Sequence, residues 1–116
     1  MIPDDNSLRV FLAPGPTDLR KSIDTLAILV AGRLNQQPLS GHLFGFCNRR
    51  RDTVKILYWD RNGFCLWHKR LERDRFLWPE NEDAVRMLSL RQLRWLLDGL
   101  SIDQAAHRSL HYGKIC

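Results

Sequence analysis

Three runs rich in aromatic and β-branched residues, 42–47, 53–59 and 64–71, follow one another with only short polar turns between them. Turns this short leave no room for a crossover helix, so neighbouring runs must pair as antiparallel strands. An antiparallel meander is therefore the expected centre of the fold. The rest of the chain is arranged around it with a different period. Leu8–Leu12 reads as a first strand, and Ala13–Thr17, where two prolines flank a glycine, reads as a turn. Leu19, Ile23, Leu26, Val30 and Leu34 then recur at helical spacing, with Thr17 or Asp18 as cap and an Arg20–Asp24 pair on the polar face. Arg75–Trp78, stopped by Pro79, reads as a short fifth strand, followed by an acidic loop from Glu80.

A second helix is expected over Leu90–Asp98. Ser89 and Gln92 have capping-box spacing, Leu90, Leu93, Leu96 and Leu97 face inward, and Gly99 suits the C′ position. Ser101 repeats the capping pattern, which predicts another short helix to about Leu110. The expected fold class is α+β: a four- to five-stranded antiparallel sheet with an N-terminal helix and a C-terminal helix or helix pair packed on it. The chain has 116 residues, enough for one domain, placed at 1–102 with a tail at 103–116. No apolar run approaches the ~20 residues needed to span a bilayer, and the acidic first residues lack the apolar core of a signal peptide. Three widely spaced cysteines fit a reduced cytoplasmic compartment better than a disulfide framework.

The central hairpin carries the strongest local signal, Asp60-Arg61-Asn62-Gly63. Asp at the first position and Gly at the last favour a type I turn with a bulge, pairing Trp59 with Cys65, Leu57 with Trp67 and Lys55 with Lys69. An Asn62-Gly63 turn shifts the register by one and sets Lys55 against Arg70. Both registers gather Lys55, Lys69 and Arg70 at the end away from the turn. That gathering matches the charge map. Residues 47–75 hold nine Lys and Arg against four Asp and Glu, a surplus that equals the +5 of the whole chain. A local basic surface points to nucleic acid or another polyanion. Lysine and arginine also suppress edge-to-edge strand pairing, so solvated edges explain the same residues. The candidate phosphate contacts are Arg49, Arg50, Arg51, Lys55, Lys69 and Arg70, with the arginines aimed at backbone or groove rather than Trp59, Trp67 or Tyr58 stacked on bases.

Catalytic and metal constellations are not expected. Cys65 and His68 lie three apart on a strand and face opposite sides. His107, His111 and Cys116 supply too few ligands for a closed zinc site. Asp18, Asp24, Asp52, Asp60 and Glu72 each have a cap, turn or pairing role, whereas a two-metal nuclease needs converging carboxylates. The Pro-Gly-Pro segment lacks the N–H groups of a phosphate loop. No cofactor follows. A helix-turn-helix reading around Gly99 is weakened by Trp95, too large for a tight crossing. Arg91, Arg94 and Trp95 instead form a candidate partner-binding patch on the second helix.

Three blocks also resemble one family. The first is Gly15-Pro16-Thr17-Asp18-Leu19-Arg20-Lys21-Ser22-Ile23-Asp24-Thr25-Leu26. The second joins Ser40-Gly41-His42-Leu43-Phe44, Asn48-Arg49-Arg50-Arg51-Asp52, Lys55-Ile56-Leu57-Tyr58-Trp59-Asp60, Gly63-Phe64 and Lys69-Arg70-Leu71-Glu72, closing with Phe76-Leu77-Trp78-Pro79. The third is Leu93 to Gly99. Together they resemble the TnpB accessory proteins encoded by the second open reading frame of insertion-sequence-66-type bacterial transposons, a family unrelated to the RNA-guided nucleases of the same name. Ser22 and Asp74 stand where that pattern has glycine. The resemblance implies a bacterial cytoplasmic protein that assists transposition, with DNA and a separate, larger transposase as partners and no catalysis of its own. It leaves self-association open. Two functions follow: DNA binding through the basic sheet end, or a protein-interaction subunit that bridges or stabilises the transposase without touching DNA.

Overall fold

A computed structural model describes residues 7–81 and 87–99. Its elements run β1 (Arg9–Pro16), α1 (Ile23–Gly32), β2 (Leu43–Cys47), β3 (Thr53–Asp60), β4 (Gly63–Arg70), β5 (Met87–Ser89) and α2 (Leu90–Leu97). The five strands form one sheet in the order β4-β3-β2-β1-β5. The α+β class holds, and β2-β3-β4 is the expected antiparallel meander. The sheet as a whole is mixed rather than antiparallel, because β1 pairs with β2 in parallel. The reason lies in the connection: the chain returns from β1 to β2 through α1, and a helical crossover brings the next strand in parallel.

Alternation along the strands divides the core in two. Val10, Leu12, Val54, Ile56 and Tyr58 pack on one face with Leu90, Leu93, Leu96 and Leu97 of α2. Ala13, Phe44, Phe46 and Leu57 pack on the other with Leu26 and Val30 of α1. The two helices thus cover opposite faces. Gly45 is needed at the sheet centre. A Cβ there would stand 2.7 Å from Leu12 Cδ2 and 3.1 Å from the Trp78 ring.

Several local expectations are corrected. Residues 13–16 do not turn; they extend β1, with an irregularity between Leu12 and Pro16. Proline favours extended backbone, and Gly15, at φ 72°, donates its N–H to Pro79 O at 2.8 Å. Helix α1 starts later than its apolar stripe suggests, because Ser22 rather than Thr17 or Asp18 caps it. Arg20 accordingly lies outside the helix and pairs with Asp18, not Asp24. Residues 75–78 form no strand. Phe76 and Trp78 are buried, Phe76 N–H donates to Arg51 O, and Trp78 Nε1 donates to Ala13 O. The fifth strand is Met87–Ser89, beside β1.

The hairpin adopts neither anticipated register. Asp60 pairs with Gly63, Lys55 with His68 and Thr53 with Arg70, so the loop is Arg61-Asn62. Arg61, not Gly63, takes the positive φ of 55°. The core explains the choice. A one-residue slip turns every side chain over, and this register sends Cys65 and Trp67 to the α2 face and Phe64 and Leu66 to the α1 face. Helix α2 matches its sequence signals, with the Ser89–Gln92 capping box formed and Gly99 at φ 93°. The expected helix from Ser101 to Leu110, and His107, His111 and Cys116, lie outside the described residues.

Candidate nucleic-acid interface

The basic residues are displayed by a turn with its own internal scaffold. Asn48 Oδ1 accepts from the N–H groups of Asp52 and Thr53, and Asn48 Nδ2 donates to Asp52 Oδ1 at 2.7 Å. Thr53 Oγ1 donates to the same Asp52 oxygen. The Asn48 hydrogen bond, first among these influences, holds the Asp52 carboxyl below its usual range. Asp52 is therefore engaged within the turn and does not neutralise the hairpin. Arg49 and Arg50, between these anchors, are exposed. Neither forms an ion pair with a carboxylate among the described residues.

This turn, the loop after β1 and the open end of the β3–β4 hairpin enclose a cleft of about 1080 Å³. Its lining includes Thr17, Asp18, Arg20, Arg49, Arg50, Lys55, His68, Arg70 and Glu72. The cleft lies beyond the carboxyl ends of the parallel strands β1 and β2, where open sheets with helical crossovers commonly bind ligands. Both acids in the cleft are committed to a neighbouring arginine. Asp18 Oδ1 and Oδ2 accept from Arg20 Nε and Nη2, each at 3.0 Å, and Arg70 Nη2 donates to Glu72 at 3.3 Å. The Arg20 hydrogen bonds pull the Asp18 pKa from 3.8 to about 2. Lys55 Nζ donates to Leu19 O at 2.7 Å, tying the loop after β1 to β3 while its charge stays in the cleft. Carboxylates are thus outnumbered, and the lone arginines sit at the rim.

The six expected phosphate contacts are divided by this geometry. Arg49, Arg50, Lys55 and Arg70 line the cleft. Lys69 does not: it alternates to the α2 face, where Nζ donates to Leu97 O at 3.1 Å. A cation on the last carbonyls of a helix complements its dipole. Arg51, at φ 62°, turns away and pairs with Glu80. No like charges face each other directly across the hairpin, since Lys55 opposes His68 and Lys69 opposes Val54. Trp59 stacks edge-on with Phe64 at the far tip of the hairpin, and Trp67 packs into the α2 core. Thr17, Arg20 and His68 belong to the cleft, although sequence spacing assigns them other roles: a helix cap, a pair with Asp24 and a rejected metal ligand. The available signal was the Thr17–Arg20 segment lying between a strand and a helix.

Other chemistry finds no cluster. Asp60 sits at the hairpin tip, away from Asp18 and Glu72. Among the described residues, no three His, Cys, Asp or Glu side chains approach closely enough to share a metal. The Cys47 thiol is buried, which pushes its pKa up to about 12, an inert environment for a thiolate. No helix among the described residues is long and apolar enough to cross a membrane. On α2, the Arg91 guanidinium lies 5.2 Å from the centroid of the half-buried Trp95 ring.

Comparison with known proteins now adds a family. The model of the IS66 Orf2-like protein matches residues 8–107, a span that contains the whole cleft. The chain belongs to the IS66 Orf2-like family. Membership implies an accessory protein associated with transposition. Two similar proteins come from Sinorhizobium fredii (strain NBRC 101917 / NGR234), both named only as uncharacterized. One, y4hO, is 40% identical over 100 residues, covering 86% of this chain and 87% of its own. The other, y4jC, is 33% identical over 100 residues, covering 86% of each. No solved structure matches this IS66 Orf2-like protein.

Proposed function

We propose that the protein is a non-catalytic, cytoplasmic accessory factor of transposition that binds DNA through the cleft beyond β1 and β2. The observation that carries this reading is the pair Arg49 and Arg50. They are adjacent and exposed on a turn pinned by Asn48 and Asp52, and among the described residues neither forms an ion pair with a carboxylate. Cations presented this way neutralise phosphates and release counterions. Lys55 adds charge from the floor. Lys69 and Arg51 are left out of the contact set because they serve α2 and Glu80. DNA is preferred to other polyanions because the family belongs to a DNA process.

The test is a titration against transposon-end and random duplexes at several salt concentrations. Three neutralised phosphates give a slope of log affinity against log salt of about −2.7. Equal affinity for both duplexes means backbone recognition; a preference for the ends means sequence readout. Absence of binding at ~50 mM salt, or a flat salt response, refutes the reading.

The Arg91–Trp95 pair supports a second role. An aromatic with an arginine above it is a common anchor of protein interfaces, and Arg94 lies on the same helix. In this reading α2 contacts the transposase of the same element. Co-purification without DNA, lost in Trp95→Ala, supports it; unchanged partner affinity in that variant removes it.

A further inference from the structure

Thr17 is the anomaly of the cleft. It lines the cavity, is only 7% exposed, and its N–H is satisfied by Cys47 O at 2.8 Å. Its hydroxyl is different. Among the described residues, Thr17 Oγ1 is the buried side-chain polar atom that finds no hydrogen-bond partner. Leaving a buried hydroxyl unpaired is destabilising, and native structures keep few such groups. Nearby polar groups are already engaged: Thr53 Oγ1 donates to Asp52, and Asp18 holds Arg20. The cleft also holds acceptors, Asp18, Asn48 and Glu72, but none of them bonds the Thr17 hydroxyl, and Asn48, Asp18 and Glu72 already serve Asp52, Arg20 and Arg70.

We infer that Thr17 is the floor of a built phosphate subsite, in which one backbone phosphodiester of a DNA strand accepts the Thr17 hydroxyl proton in a hydrogen bond and is balanced by Arg49, Arg50 and Lys55. This rests on the DNA-binding reading and sharpens it. A merely basic rim holds any phosphate along the backbone loosely, whereas the Thr17 hydroxyl, sealed in the cleft wall and turned towards the phosphate on binding, fixes the position of one. Threonine suits this task. It donates a hydrogen bond without charge, and its β-branch restricts χ1 at the end of an extended strand. Phosphate contacts of this type set register without reading sequence.

The experiment uses the full chain with Thr17→Val and Thr17→Ser, a hairpin-closed duplex that offers only internal phosphodiesters, and inorganic phosphate alone. Valine keeps the shape and removes a hydroxyl that has no partner among the described residues, so the fold is expected to tolerate it. The expected result is duplex affinity weakened about tenfold in Thr17→Val, as for one lost hydrogen bond to a charged group. Thr17→Ser should bind like the wild type. The salt slope should stay unchanged in both, because no cation is lost. Millimolar phosphate should shift the Thr17 resonances of the wild type.

Wild-type duplex affinity in Thr17→Val overturns the subsite. If charge reversal of Arg49 and Arg50 still weakens binding, DNA recognition stands without it. Phosphate shifts at Arg49 and Arg50 with none at Thr17 also overturn it. If the duplex does not bind at all, the DNA reading fails; Thr17 shifts with phosphate then support an anion subsite, and their absence removes both.

Discussion

Lys55 and Lys69 belong to one hairpin and carry the same charge, yet the sheet assigns them to opposite faces. Lys55 opens into the cleft beside Arg49 and Arg50 and braces the loop that bounds it. Lys69 reaches the last turn of α2 and neutralises its carbonyl end. Among the described residues, the α1 face therefore carries more cations than the Asp18 and Glu72 carboxylates pair with, while Lys69 is committed to α2 on the other face. A basic cluster in sequence becomes a basic surface only after strand register has sorted it.

The strongest way to break this contrast is to invert the charge of the rim. Replacing Arg49 and Arg50 with glutamate removes the two proposed phosphate contacts and adds repulsion. Duplex affinity at ~50 mM salt is expected to fall at least about 100-fold, and the salt slope to flatten by about two. The turn should persist, since Asn48 and Asp52 hold it. Unchanged affinity in a fluorescence anisotropy titration would show that the α1 face is not the DNA surface.

Matched substitutions of the two lysines come next. Lys55→Met should lower affinity roughly five- to tenfold and flatten the slope by about one. Lys69→Met should leave both DNA parameters unchanged and lower stability by about 0.5–1 kcal/mol in urea unfolding, the usual value of a cation at a helix C-terminus. If the two variants behave alike on DNA, the register does not divide the cluster as described.

The legibility of this molecule followed locality. The α2 boundaries were readable because capping is a short-range exchange between Ser89 and Gln92, completed by Gly99. The antiparallel meander was readable because its connections are short. The hairpin register was not, since Asp60 and Gly63 permit several turns and the decision came from burying Trp67 and Leu66 on opposite faces. The late start of α1 is not legible in the sequence because Leu19 completes the apolar stripe from outside the helix. The cleft was half legible. Arg49, Arg50, Lys55 and Arg70 stood out as charge, while Thr17 looked like a cap and Arg20 like a helix surface. Asp74 shows local chemistry once more. It has φ 65°, a conformation that favours glycine, at a position where the resemblance leads one to expect glycine. Asp74→Gly is expected to stabilise the fold by a few tenths of a kcal/mol, partly offset by a freer unfolded chain; a loss of stability in thermal unfolding would contradict the backbone assigned there.

The smallest expected effect concerns the Asp18–Arg20 pair, one of the two exposed acid–arginine pairs of the cleft. Asp18 is paired with Arg20, which lowers its pKa to about 2. Its folded pKa lies below the unfolded one, so the pair supports the fold above about pH 4. That support is lost as pH falls towards 2. A carboxyl titration followed by NMR should show the low midpoint, and Arg20→Gln should return it towards 3.8. In the proposed DNA-binding mode the same pair would act against affinity at neutral pH, because Asp18 occupies a guanidinium that a phosphate would otherwise engage. Asp18→Asn should therefore raise duplex affinity about two- to threefold at low salt and steepen the slope by up to about one, with the gain fading as salt screens it. A fall in affinity would mean that Asp18 positions Arg20 for the phosphate rather than withholding it.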